Sequence, residues 1–242
     1  MARSGTKPAP AAPHRFPAVT VDVVLVTVAD GALRTLLVRR DAPPAKGQAA
    51  LPGGLLGPDE ALEAAAARVL REKAGLAGVF LEQLYTFGAP RRDPRGRTIT
   101  VAYCALCDLA RFTATRSAAP ETLAARIAVP WEGETGGPVE LLDDAGRPLP
   151  LAFDHAEIVG MAVKRLRGKL DYAPIGYQLL PASFTLLELQ RVHETILGRP
   201  LNKDSFRRRM LASGDLEATG ERQEDVEHRP AERYRFARRS AT

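Results

Sequence analysis

Three stretches of the chain gather residue types that do chemistry. The segment Gly88-Ala-Pro-Arg91-Arg92-Asp93-Pro94-Arg95-Gly96-Arg97 holds four arginines around Asp-Pro and Gly turns. Planar guanidinium forks of this kind grip phosphate oxygens through paired, charge-assisted bonds. Arg39 and Arg40, at the end of an apolar run, offer the same chemistry. The second stretch, Asn202-Lys203-Asp204-Ser205-Phe206-Arg207-Arg208-Arg209-Met210, places four cations on a short helix whose apolar positions are Phe206 and Met210. By itself such a stretch is a solvated helix face; as the second helix of a helix-turn-helix it enters a DNA major groove. The third, Cys104-Ala-Leu-Cys107, has metal or redox spacing. Zinc needs two further ligands, and the chain has no other cysteine and only His14, His155, His193 and His228, none close in sequence. Residues i and i+3 of a strand face opposite ways, so the pair reads as core cysteines.

A fourth pattern is carried by spacing. Leu51-Pro52-Gly53 precedes Gly54, Glu60, Arg68, Leu70, Glu72, Gly75 and Leu76, whose separations resemble the Nudix box. The resemblance implies an α/β/α sandwich with a mixed sheet, and a structural salt bridge between Glu60 and Arg68. In active members three carboxylates, at the positions corresponding to 69, 72 and 73, share one helix face and hold Mg²⁺. Here those positions are Val69, Glu72 and Lys73, so the formal charge of the cage falls from −3 to 0. The expectation is a preserved pocket without its metal chemistry: no metal site, no cofactor required, and Mg²⁺ only if residual hydrolysis survives. The arginine segment resembles the loop of ADP-ribose-recognising Nudix proteins. Arg39, Arg40, Arg92, Arg95 and Arg97 are therefore the candidate ligand-binding residues.

These residues need elements to position them. From 19 to 26 β-branched residues accumulate as in a buried strand, and 36–39 pairs back across the Ala29-Asp30-Gly31 turn. A helix is expected over 58–74, with Pro58 at its first position, Asp59 and Glu60 at its positive end, and Gly75 beyond its far end. Strands follow near 79–87 and 98–106. After residue 110 the pattern loosens, then tightens at 139–142 and 148–152. Asp154 with Glu157 reads as a capping box opening a helix to about residue 170, and Thr185 with Glu188 as a second box opening a helix with Leu186, Leu189, Val192 and Ile196 on one face. Gly198-Arg-Pro200 turns the chain and Asn202 caps the basic helix. A β-hairpin through Tyr234 and Phe236 completes the plan of a winged helix, with Arg229 in its wing.

Composition narrows the class. The 242 residues carry a net charge of +5, spread evenly, with 12 basic against 10 acidic residues in the last 60. A DNA-binding argument must therefore rest on clustering. No run approaches the roughly 18 apolar residues of a membrane span. The first 17 residues are Pro/Ala-rich without the apolar stretch of a secretory signal. The organisation expected is a disordered tail (1–17), a Nudix-like ligand-binding domain (18–152), a linker helix and connector (153–182) and a winged helix (183–242), in a cytoplasmic protein.

A degenerate Nudix domain ahead of a winged helix resembles the Nudix-related transcriptional regulators. The likeness includes Leu151-Ala-Phe-Asp154-His155, Lys169-Leu-Asp-Tyr172, Phe184-Thr185 and Phe206-Arg207-Arg208. It implies a homodimeric repressor of NAD metabolism that binds a double-stranded DNA operator and responds to ADP-ribose; relatives respond to sugars. The candidate DNA-binding residues are Lys203, Ser205, Arg207, Arg208, Arg209 and Arg229, Ser205 standing where the resemblance leads one to expect Asn. Two other readings remain open at this stage: an active pyrophosphatase drawing carboxylates from elsewhere, such as Glu63 or Asp93, and an adaptor acting through protein partners.

Overall fold

The computed structural model describes residues 16–119, 121–223 and 230–237. In chain order the elements are β1 (Ala18–Ala29), β2 (Ala32–Arg39), β3 (Ala49–Ala50), β4 (Gly53–Leu55), α1 (Leu62–Ala74), β5 (Phe80–Phe87), β6 (Thr98–Leu106), α2 (Leu109–Ala118), β7 (Thr122–Ala128), β8 (Glu140–Leu142) and α3 (His155–Lys169). A 3₁₀ turn (Pro174–Leu179) leads to β9 (Phe184–Thr185), α4 (Leu186–Leu197), α5 (Lys203–Ala212), β10 (Leu216–Arg222) and β11 (Glu232–Phe236).

The apolar strand β1 lies inside a mixed sheet of order β5-β6-β1-β2-β7-β8, with β3 on β2 and β4 on β1. It runs parallel to β6 and antiparallel to β2. Its side chains alternate as a pleated strand demands. Val21, Val23 and Leu25 meet Ala65, Ala66, Val69 and Leu70 of α1 and Phe112 of α2 in one core. Val24 and Val26 face a second core with Ile158, Val159, Ala162, Val163 and Leu166 of α3. Helices therefore cover both faces, the expected α/β/α sandwich with a mixed sheet. Cys104 and Cys107 fall into opposite cores, both buried and free, and desolvation pushes both thiols up to about 12.

The core containing α3 runs on without a break through Ile175 and Leu179 into Leu189, Val192, Ile196, Phe206 and Tyr234. These belong to a second unit in which α4 and α5 pack against the sheet β10-β11-β9. The capping box forms as expected: Thr185 Oγ1 accepts from the Glu188 amide, and Glu188 accepts from the Thr185 amide at 2.6 Å. Gly198 ends α4 at φ +68°, and Asn202 caps α5.

Three expectations are corrected. The first long helix starts at Leu62, not Pro58, because the Glu60 carboxylate closes the Gly57–Glu60 turn by accepting from the Gly57 amide, leaving that segment outside the helix. Residues 109–128 are not loose but form α2 and β7, whose small and polar composition hides their period. Asp154 precedes α3 without capping it through its side chain, which is taken by Arg92. The proposed tail falls almost wholly, and Arg229 wholly, outside the described residues.

Burial in the second unit has a measurable consequence. His193 is 4% exposed, its ring sits edge-on to Phe206, and desolvation, helped by Arg209, holds its pKa down to about 4. The unfolded chain takes up that proton near pH 6.5. The folded pKa is depressed for a base, so this stabilisation is present above about pH 6.5 and is lost as pH falls toward 4. The melting temperature should drop across that window, and His193→Leu should flatten the drop; a pH series of thermal melts checks this.

Candidate functional site

The Nudix-like segment is built as a strut. Glu60 accepts from Arg68 Nε at 2.6 Å and Nη2 at 2.8 Å, and Arg68 also donates to the Leu55 carbonyl. The Arg68 fork, with the Gly57 amide, lowers the Glu60 pKa to about 2. The strut thus fixes the loop before α1 against the helix. Arg68 also lies 3.3 Å from Glu72, the one retained carboxylate of the cage. Val69 is 1% exposed among the apolar residues under α1, and Lys73 is exposed at the cleft. A buried methyl pair, an ion-paired carboxylate and an ammonium do not make a magnesium site. Among the described residues no three His, Cys, Asp or Glu side chains group to hold a metal ion.

The cleft beside this helix encloses about 730 Å³. The end of β2 contributes Arg39 and Arg40, the loop after β5 contributes Arg92, Asp93, Arg95 and Arg97, and the start of α3 contributes Phe153 and His155. All five arginines read from the sequence as ligand-binding therefore line one cavity, but they are not equivalent. The Arg92 side chain is 5% exposed, and its fork donates to both oxygens of Asp154 at 2.9 and 2.7 Å. A second carboxylate, Asp22, stands 3.7 Å away. Arg95 grips Asp93, which holds the Asp93 carboxyl below the usual range. Among the described residues, Arg39, Arg40 and Arg97 donate to backbone carbonyls alone, of Gly47, of Pro44 and Ala42, and of Gly88. Cations held by neutral partners keep their charge uncompensated, which suits an incoming polyanion.

Sequence reading missed the residues that organise this cavity. Asp22 interrupts an otherwise apolar strand, and a carboxylate there is itself a signal, since buried acids are rare unless paired. Its carboxylate lies against Gly53, so a β-carbon there would have to displace the Asp22 side chain. His155 is buried with Nδ1 accepting from the Leu51 amide, and burial holds its pKa below the usual value, keeping it the neutral acceptor that this bond requires. Glu63 does not line the cleft.

At the other end of α3, Arg167 donates to the carbonyls of Ile196, at the end of α4, and of Trp131 and Gly133. One helix is thus tied to the cleft through Asp154 and to the second unit through Arg167. On α5, Lys203, Ser205, Arg207 and Arg208 are exposed, and the three cations make no ion pair among the described residues. Arg209 differs, being paired with Asp171 at 3.2 Å and lying over the Phe206 ring. Lys203 and Arg207 also line a groove between α4, α5 and the strands β10 and β11.

A Nudix sandwich whose core continues into a winged helix is the architecture of the Nudix-related regulators. The chain belongs to the NrtR family of such regulators. The family model for the NUDIX domain matches residues 17–134, and that for the NrtR DNA-binding winged helix domain matches residues 176–236. The ADPR responsive transcriptional repressor NtrR of Acinetobacter baylyi is 38% identical over 223 residues, covering 91% of this chain and 82% of that protein. The crystal structure of Shewanella oneidensis NrtR complexed with a 27mer DNA is 34% identical, with a TM-score of 0.75, covering 90% of this chain and 93% of that one. A MutT/nudix family protein from Enterococcus faecalis is 27% identical with a TM-score of 0.73, over 93% of this chain and 88% of that one. No helix among the described residues is long and apolar enough to cross a membrane.

Proposed function

We propose that this chain is an ADP-ribose-responsive, DNA-binding transcriptional repressor of NAD metabolism, whose Nudix fold senses its ligand rather than cleaving it. One observation carries the reading: a cleft lined by arginines, with Val69 and Lys73 in place of two of the three metal carboxylates, shares a helix and a core with a winged helix. Arg39, Arg40, Arg95 and Arg97 supply the counter-charge for the diphosphate, and Arg92 holds the cleft together through Asp154. Lys203, Ser205, Arg207 and Arg208 face DNA, with Arg209 and Arg229 as flanking contacts. The chain acts as a cytoplasmic homodimer, because one winged helix of nearly balanced charge neutralises few phosphates and two can read half-sites about one DNA turn apart. The kinship with the Acinetobacter repressor supports the effector and the direction of control.

ADP-ribose should bind in calorimetry without added metal. Arg95→Ala should weaken that binding by about 1–3 kcal/mol, the worth of a charged hydrogen bond. Unchanged affinity would remove Arg95 from the site, and absence of binding by the unaltered chain would refute the effector.

Hydrolysis is the second expectation. With Mg²⁺ or Mn²⁺ the chain should turn over ADP-ribose far more slowly than about 1 s⁻¹, the low end of ordinary enzyme rates. A Val69→Glu, Lys73→Glu double variant should gain measurable Mn²⁺ affinity, since it restores the helix-face carboxylates. Enzyme-like turnover by the unaltered chain would contradict the sensor reading.

A further inference from the structure

The last turn of a helix ends in carbonyls that its own amides do not satisfy. In α4 one of these, the Ile196 carbonyl, is taken by a side chain from the sandwich: Arg167 Nε donates to it at 2.8 Å. The same guanidinium donates through Nη1 to the Trp131 and Gly133 carbonyls at 3.2 and 2.9 Å, and lies 4.8 Å from the centre of the Trp131 ring. Arg167 is 7% exposed and makes no ion pair among the described residues. Burying a cation without a carboxylate is costly, and here its donors are spent on joining α4 to the loop after β7. The fit is close, since a β-carbon on Gly198, which ends α4, would stand 3.1 Å from Arg167 Nη2. The body that carries Arg167 reaches back to the cleft. α3 spans 15 residues, about 22 Å at 1.5 Å per residue. The loop after β7 lies along it: the Val139 amide donates to the Ala156 carbonyl, and a β-carbon on Gly160 would strike the Gly137 carbonyl. At its start Asp154 is clamped by Arg92, and His155 lines the cleft.

We propose that Arg167 is the positioning residue through which an occupied cleft changes the seat of α4, and with it the presentation of α5 to DNA. A packed helix moves as one piece, so a shift at the start of α3 arrives at Arg167. The other links across the junction are less directional. The shared core, through Leu166, Leu189, Val192 and Ile196, is apolar, and apolar contact holds surfaces together without fixing an angle. The Asp171–Arg209 pair is exposed, and such pairs contribute little. The bond from Arg167 to Ile196 is buried and directional, so it converts a displacement of α3 into a rotation of the winged helix. The inference rests on the reading of the chain as an ADP-ribose-responsive DNA-binding protein and names the residue that joins its two sites.

The test measures ADP-ribose affinity by calorimetry and DNA affinity by anisotropy, with and without saturating ADP-ribose, on the full-length chain and on Arg167→Met. The unaltered chain should lose about 5–150-fold in DNA affinity when the cleft is filled. Arg167→Met should bind ADP-ribose within about threefold of the unaltered chain, yet its DNA affinity should change by less than about twofold when ADP-ribose is added. A merely structural loss would lower the separate affinities and leave that ratio standing. Asp171→Ala should keep the coupling; its loss there would move the link to the exposed pair and overturn the inference. Hydrogen exchange on the unaltered chain decides the matter even if Arg167→Met does not fold. ADP-ribose should change the protection of the Gly198 and Arg199 amides, which donate to the Glu194 carbonyl in the last turn of α4. Coupling that survives Arg167→Met, or exchange at these amides that ignores the ligand, overturns the inference and leaves the effector reading intact. An unaltered chain that binds no ADP-ribose, or whose DNA affinity ignores it, overturns both.

Discussion

Replacing Arg92 with Met should destabilise the chain by about 3–5 kcal/mol, because it strands the half-buried Asp154 and the buried Asp22 without their cation. The Arg92 side chain is 5% exposed and Asp154 is 14% exposed, with Asp22 at 10% facing the same guanidinium. Removing the fork therefore leaves two acids in a poorly solvated pocket, and three donor contacts of 2.7–3.7 Å are lost together. For a chain of this size the melting temperature should fall by roughly 10 °C. A double-mutant cycle with Asp154→Asn separates the pair from its surroundings: the double variant should be less destabilised than the two single changes added together. A loss below about 1 kcal/mol for Arg92→Met, the range of an exposed ion pair, would show that the cluster is solvated and that α3 is not anchored to the cleft.

The second large effect lies at the other end of the molecule. Exchanging Lys203, Arg207 and Arg208 together for Ala should weaken specific DNA binding by about 3 kcal/mol or more and flatten its salt dependence, each phosphate contact contributing a slope of about one. These cations are exposed on α5 and free of ion pairs among the described residues, so their removal costs the free protein little. Arg209 is the internal control, because its pairing with Asp171 and its place over Phe206 give Arg209→Ala a share in folding as well. Arg208→Ala alone should relax specificity at one base pair if it reads a guanine edge, and weaken all sequences evenly if it touches phosphate. Anisotropy titrations at two salt concentrations decide between these. An unchanged affinity of the triple variant would return α5 to an ordinary solvated helix.

What the sequence made legible is what short-range chemistry dictates. The β-branched run of β1, the left-handed Gly75 after α1, the Thr185–Glu188 box and the Asn202 cap each depend on residues a few positions apart. The Glu60–Arg68 pair was legible only through the resemblance of its segment to the Nudix box, and the loop between Gly57 and Glu60 proved to be a closed turn rather than the first turn of the helix. The organisation of the cleft was not legible, because its decisive pair joins residues 62 positions apart. An Asp before a helix reads as a cap, and nothing local shows that Arg92 claims it. The segment holding Phe153 was noticed only for its likeness to the family, and its left-handed backbone was not legible, because propensity argues against a left-handed phenylalanine. The element β7, Thr-Leu-Ala-Ala-Arg-Ile-Ala, was missed because tertiary pairing with β2 supplies what its weak strand propensity lacks.

One ligand in the cleft should change the hold of the winged helix on DNA. The direct measurement is the affinity of the full-length chain for a duplex it selects from a random pool, read by anisotropy in metal-free buffer, with and without saturating ADP-ribose. A coupling of ordinary size, about 1–3 kcal/mol, predicts that ADP-ribose weakens DNA binding by about 5–150-fold. DNA affinity that stays the same while calorimetry shows the cleft filled would contradict the account.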